Sequence, residues 1–147
     1  MAGEIKPKQD RKRHPAANGG KWLRPEKRLA IYLRDGFLCA YCLRNLADAP
    51  ANQRTIDHVI PVKLGGTNHE DNLCLACKKC NDTKQDRSAW EFLARDLQPT
   101  NATTTAAFVH RRTRLLRLLD TPINRILAKT IITGTLDLSD VLKEQTQ

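Results

Sequence analysis

The chain has 147 residues, 40% of them hydrophobic, and a net charge of +9, which suits one compact domain with tails. No run approaches the roughly 18 apolar residues that a membrane-spanning helix needs. The basic N-terminus also lacks the apolar stretch of a secretory signal, so no membrane partner is expected, and the expected location is the cytoplasm, or that of a host cell if the chain is viral.

The charge is unevenly placed. Residues 1–34 carry a balance of +7 and residues 108–129 one of +5, while residues 35–107 sum to −1. Two basic flanks around a neutral middle suit the grip of a polyanion, because each phosphate neutralised releases condensed counterions. A soluble tail and a solvated helix face would show the same charges.

Residues 1–21 hold lysines, arginines, Pro7, Pro15 and Gly19-Gly20 without apolar period. They read as a disordered basic arm. Pro25 suits a first helical position, and Leu29, Tyr32 and Leu33 recur at helical spacing until Asp35-Gly36. Residues 37–46 contain Cys39-Ala-Tyr-Cys42 in an expected tight knuckle, and 48–53 read as a loop. The β-branched residues of 54–63 predict a strand, with Pro61 marking an edge, a bulge or a bend. Gly65-Gly66 turns the chain, and a helix is expected from Asn72 to about Gln85. Ser88-Ala-Trp-Glu91 is a capping box for a short helix with Trp90, Leu93 and Leu97 inward. After a polar linker at 99–105 come three helices: 106–119, one capped by Thr121-Pro122, and a short one at 137–145. The divisions expected are a flexible arm over 1–21, a domain over 22–98 and a helical C-terminal extension over 99–147.

Five cysteines in a chain without an export signal argue against a disulfide framework. Cys39 and Cys42 form one Cys-x-x-Cys pair, and Cys77 and Cys80 another. Four thiolates suit tetrahedral Zn²⁺ in a closed, structural site, with rubredoxin-like iron as the alternative. The 34 residues between the pairs exceed the loop of a simple zinc ribbon, so an element must be folded into them. Cys74-x-x-Cys77 also fits the spacing. Three cysteines at 74, 77 and 80 on one helix would not meet one metal, so Cys74 reads as a buried hydrophobe.

The chemistry is expected in that intervening segment. Cutting a phosphodiester needs a base to activate water and a group to hold charge on the phosphate and the leaving oxygen. His58 has the residue type for the first task at neutral pH. A carboxylate and an amide oxygen are hard ligands suited to Mg²⁺ or Mn²⁺. On an extended segment Asp57 and His58 point to opposite faces, which a bend near Pro61 would relieve.

From residue 28 to residue 84, the Arg-Asp-Gly-x-x-Cys-x-x-Cys lead-in, Asp57-His58, Gly65-Gly66, Asn72-Leu73 and Cys80-Asn81-x-x-Lys84 fall in one order. This order resembles the HNH endonuclease family, some members of which are viral. The resemblance implies an α+β fold whose core is the ββα-metal (His-Me finger) unit, a β-hairpin packed on a helix around one divalent ion, here with a four-cysteine zinc site and flanking helices. It implies His58 as general base, Asp57 and Asn81 as ligands of the catalytic ion, and Asn72 as the asparagine that orients the loop and the base. With asparagine at 81 the chain is an HNN variant, which favours harder ions over Ni²⁺ or Zn²⁺.

DNA is the expected partner. Arg11, Lys12 and Arg13 on the arm, Lys84, and Arg111, Arg112 and Arg114 on a later helix are the candidate nucleic-acid contacts. A homodimer would serve double-strand cutting. The alternatives are a non-catalytic zinc module that binds nucleic acid, or a component of a viral DNA-packaging complex. His14, His69 and His110 read as solvent-facing or nucleic-acid-contacting, and Trp22 and Trp90 as packing residues.

Overall fold

The computed structural model describes residues 22–95 and 102–145. The basic arm, with Arg11, Lys12 and Arg13, lies outside the described residues, as does Leu97. Pro25 opens helix α1 (Pro25–Arg34), which buries Ala30, Ile31, Tyr32 and Leu33 and stops at Asp35. Leu38 then bridges Asn45 around the knuckle that carries Cys39 and Cys42.

Two strands follow, β1 (Arg54–His58) and β2 (Leu73–Cys77), paired antiparallel with Arg54 opposite Cys77 and His58 opposite Leu73. The strand expected over 54–63 is therefore shorter, since the chain leaves the ladder after His58 and makes a tight turn at Val62–Leu64. The helix expected from Asn72 is corrected more strongly. Leu73–Cys77 is a strand with all five residues buried, and the helix begins only at Lys78. A strand covered on both faces is continuously apolar, so it lacks the alternation that marks a half-exposed one.

Helix α2 (Lys78–Lys84) packs across the hairpin and is capped by Cys77, whose Sγ accepts from Cys80 N. Ser88 accepts from Glu91 N at the start of α3 (Ala89–Ala94), as the capping box predicts. Two further helices are α4 (Ala102–Leu119) and α5 (Arg125–Ile132), and α6 (Leu138–Gln145) ends the described chain. The cap of α5 is Asn124 rather than Thr121-Pro122: its Oδ1 accepts from Leu127 N at 2.9 Å. Helix α5 lies against α1 and α4 against α3, and Leu115 and Ala128 are fully buried in the same core as α1 and β2.

Among the described residues no third strand pairs with the outer edge of β2. Arg34 donates to Leu73 O at 2.6 Å, Asp35 accepts from Leu75 N at 2.8 Å, and Ala40 N donates to Leu75 O at 2.9 Å. Side chains and the knuckle backbone thus satisfy groups that would otherwise be buried unpaired. This is the structural work of the Arg-Asp-Gly lead-in: it ties α1 to the hairpin.

Candidate active site and metal centre

The two cysteine pairs converge at the end of the hairpin where Arg54 faces Cys77. The Sγ atoms of Cys39, Cys42, Cys77 and Cys80 all lie within 4.8 Å of one another, and Cys42 and Cys77 are 3.9 Å apart. A zinc tetrahedron with Zn–S bonds of about 2.3 Å has edges of about 3.8 Å. Backbone N–H groups of Tyr41 and Cys80 donate to Cys39 and Cys77 Sγ, each at 3.4 Å, as suits thiolates. The hydrogen bond from Cys80 brings the Cys39 thiol down to about 4, while the same contact pushes Cys80 up. Four thiols this close cannot all ionise without a cation, and the donor set fits zinc. Cys74 is fully buried, lies outside this group and touches Tyr41 Oη at 3.6 Å, so it behaves as a buried hydrophobe.

Polar groups line the rest of β1, Thr55 beside the cysteine end and Asp57 toward the far end. Thr55 and Asp57 share the β1 face toward α2: Asn81 donates its Nδ2 to Thr55 Oγ1 at 3.0 Å, and Lys84 Nζ lies 3.1 Å from Asp57 Oδ2. Tyr41 also donates to that carboxylate, at 2.5 Å. Burial pushes the Asp57 carboxyl above the usual carboxylate range, opposed by the Lys84 charge and by the Tyr41 hydroxyl.

Lys84 is the main correction among the expected contacts. It is fully buried, and its ammonium is shared between Asp57 and His58 O, the latter at 2.9 Å. A lysine so enclosed is an internal countercharge, not a phosphate contact. Lys84→Ala is expected to lower the unfolding free energy of the zinc-loaded chain by about 3–5 kcal/mol, because Asp57 is left buried and unpaired. Urea denaturation measures it; unchanged stability with weakened DNA binding would restore the phosphate-contact reading.

Arg114 is half-buried, and part of its guanidinium is committed inside the fold. Its guanidinium donates to Asp35 O at 2.7 Å and pins α4 to the end of α1. Arg112 on α4 is exposed and Arg111 half-exposed.

His58 turns the other way from Asp57, as alternation along the strand requires. Its ring stacks on Trp22 with centroids 4.9 Å apart and planes 18° from parallel, and Nε2 lies 2.7 Å from Asn68 Oδ1. Asn72 is buried, and its amide is fully used. Oδ1 accepts from Ile60 N at 2.9 Å, and Nδ2 donates to Ile60 O at 3.0 Å and Thr67 O at 2.9 Å. Asn72 therefore closes the loop that follows His58. Gly66 fits under it: a Cβ there would lie 1.7 Å from Ile60 O and 2.8 Å from Asn72 Nδ2. Gly65 supplies the left-handed turn, with φ of 97°.

Several of these partners carry no mark in the sequence. Tyr41 sits inside the knuckle yet reaches Asp57, and Asn68 is one polar residue of an exposed loop. Trp22 does pack, as expected, but its surface is the face of His58.

A two-stranded hairpin crossed by one helix, with a four-thiol group at one end and an Asp-His cluster at the other, defines a ββα unit fitted for a structural metal. Residues 39–87, about a third of the chain, match the HNH endonuclease family model, and the cysteine cluster fits the zinc-stabilised variant. No curated protein matches the chain. No helix among the described residues is long and apolar enough to cross a membrane.

Proposed function

We propose that the chain is a metal-dependent endonuclease that hydrolyses DNA phosphodiester bonds, with His58 as general base. What supports this reading is the match of residues 39–87 to HNH endonucleases, a segment that contains His58, Asp57, Asn72 and Asn81, although the Asp57 and His58 side chains leave β1 on opposite faces. Neutral imidazole takes a proton from water as the water oxygen attacks phosphorus, and the bond to the 3′ oxygen breaks. Asn72 acts through the loop it closes rather than on the substrate.

Asp57 and Asn81 are the residues that would hold a hard divalent ion, Mg²⁺ or Mn²⁺. Asp57 Oδ2 is taken by Tyr41 and Lys84, while its Oδ1 makes no hydrogen bond among the described residues. Asn81 engages Thr55 through Nδ2, which leaves the amide oxygen as its ligating atom. One carboxylate and one amide oxygen suit an ion that keeps several waters and binds substrate phosphate. When bound, it would hold charge on the phosphate and on the leaving oxygen.

A Mn²⁺ titration of the zinc-loaded chain followed by electron paramagnetic resonance tests the ligand assignment. Wild type is expected to bind one Mn²⁺ beyond the zinc. Asp57→Asn, which keeps the shape of the side chain, and Asn81→Ala are expected to weaken that binding on the order of tenfold or more, with zinc content unchanged. Equal Mn²⁺ affinity in all three proteins would remove Asp57 and Asn81 as ligands.

The phosphate contacts in this reading fall to exposed Arg112, half-exposed Arg111 and the basic arm. Their contribution should appear as a steep loss of DNA affinity with salt.

A further inference from the structure

His58 is held by two residues that the HNH pattern does not name. Asn68 is delivered to the ring by a loop pinned on several sides. Lys27 of α1 donates to Asn68 O at 2.9 Å, Asn72 holds Thr67 O at 2.9 Å, and Gly66 N donates to Pro61 O at 2.9 Å. The side-chain oxygen at the end of this loop faces His58 Nε2 at 2.7 Å. With the amide oxygen turned toward it, Nε2 is the donor of this pair, so the contact favours the tautomer that carries the proton on Nε2. Trp22 meanwhile covers one face of the imidazole, nearly parallel at 4.9 Å, and its neighbour Leu23 is buried in the core. A stacked ring forms no competing hydrogen bond, but it limits rotation of the imidazole about its own axis.

We propose that Asn68 and Trp22 are positioning residues that set the tautomer and the plane of the His58 ring. The inference rests on the reading of His58 as the base. Asn68 supplies the acceptor that fixes the proton on Nε2, and Trp22 supplies the flat surface that fixes the ring's orientation. Because Lys27 holds the Asn68 backbone, α1 takes part in aligning the base from outside the matched segment.

The test is a ¹H–¹⁵N correlation spectrum of the zinc-loaded full chain labelled at histidine nitrogens. It is recorded about two pH units above the usual histidine range and assigned by loss of signal in His58→Ala. Wild type is expected to show His58 in the Nε2–H form. Asn68→Ala should give a mixture of tautomers, and Asn68→Asp, which keeps an acceptor, should restore the single form. Plasmid cleavage by Asn68→Ala is expected to fall roughly 10- to 100-fold, as when the orienting partner of a functional histidine is removed. The loss should lie in kcat rather than KM, with zinc content and melting temperature unchanged. Trp22→Phe should retain most activity and Trp22→Ala lose it.

A wild-type ring protonated on Nδ1, as the opposite amide orientation of Asn68 would require, overturns the inference. So does an unchanged tautomer in Asn68→Ala together with full cleavage. Absence of cleavage by a wild-type chain with the expected tautomer would instead remove the nuclease reading and leave the Asn68–His58 hydrogen bond standing.

Discussion

Replacing His58 with Ala is expected to lower DNA cleavage by on the order of 10²- to 10⁴-fold, the range that proton transfer by a positioned side chain contributes. His58→Gln should lose as much, because a glutamine can still donate to Asn68 but does not accept a proton at neutral pH. Zinc content should be the same in both variants. His58 and the Cys77 partner Arg54 stand at opposite ends of a five-residue strand, which separates them by about 13 Å. DNA affinity measured by a mobility shift in Ca²⁺ should also persist, since the proposed phosphate contacts lie elsewhere. A variant that still nicks plasmid at the wild-type rate would remove His58 from the base role, whatever the fate of the other residues.

The second large effect is on folding. Cys39 is fully buried within the four-thiol group, and the hydrogen bond from Cys80 brings its thiol down to about 4. Cys39→Ser is expected to abolish zinc binding and with it the cooperative fold. A structural zinc contributes about 10–16 kcal/mol of apparent binding energy at neutral pH, while a whole domain is stable by only about 5–15 kcal/mol. Circular dichroism melts of the wild type, with and without a zinc-selective chelator, and of the variant measure this directly. Cys74→Ser is the informative control: Cys74 is equally buried but stands outside the cluster, so this variant should keep one zinc per chain. A Cys39→Ser melt that overlays the wild type would contradict the zinc assignment.

These two residues were legible in the sequence because their signals are local. Cys-x-x-Cys pairs and a Gly-Gly turn are spacings along the chain, and folding brings the four cysteines together as those spacings imply, whereas Asp57 and His58 stay on opposite faces of β1 and no bend brings their side chains to one side. Gly66 shows the physics behind one of them: only a residue without Cβ passes beneath Asn72. Strand β2 was misread for a reason that is also physical. Leu73–Cys77 is covered on both faces, so periodicity does not separate it from a buried helix, and the Cys77 cap that ends it looks like one more cysteine.

The lysine and arginine contacts failed differently. Lys84 and Arg114 carry charge, and charge in a basic protein reads as surface. Each is held by a partner far along the chain, Asp57 for the buried Lys84 and the Asp35 carbonyl for the half-buried Arg114. Asn68 and Tyr41 belong to the same class of residue. Each matters because of what the fold sets opposite it, and neither has a neighbour in sequence that announces the partner.

The buried pair of Lys84 and Asp57 also bears on how the site is held before metal arrives. Lys84 bonds the carbonyl of His58 and the carboxylate of Asp57, so one side chain fixes two consecutive residues of the proposed site. Tyr41 anchors the same carboxylate from the knuckle, which links the zinc end of the domain to the Asp57 end through a single ring. Loss of zinc is therefore expected to disorganise Asp57 as well as the fold around the cysteines.

The most direct measurement is conversion of supercoiled plasmid by the zinc-loaded wild-type chain in Mg²⁺ and in Mn²⁺, beside His58→Ala at equal zinc content. Nicked or linear product that appears with the wild type, disappears when the added divalent ion is withheld, and is lost with His58→Ala is the expected result. Tight DNA binding with no product in either ion, from protein that retains its zinc and its fold, would contradict the nuclease reading and favour a zinc module that only binds nucleic acid.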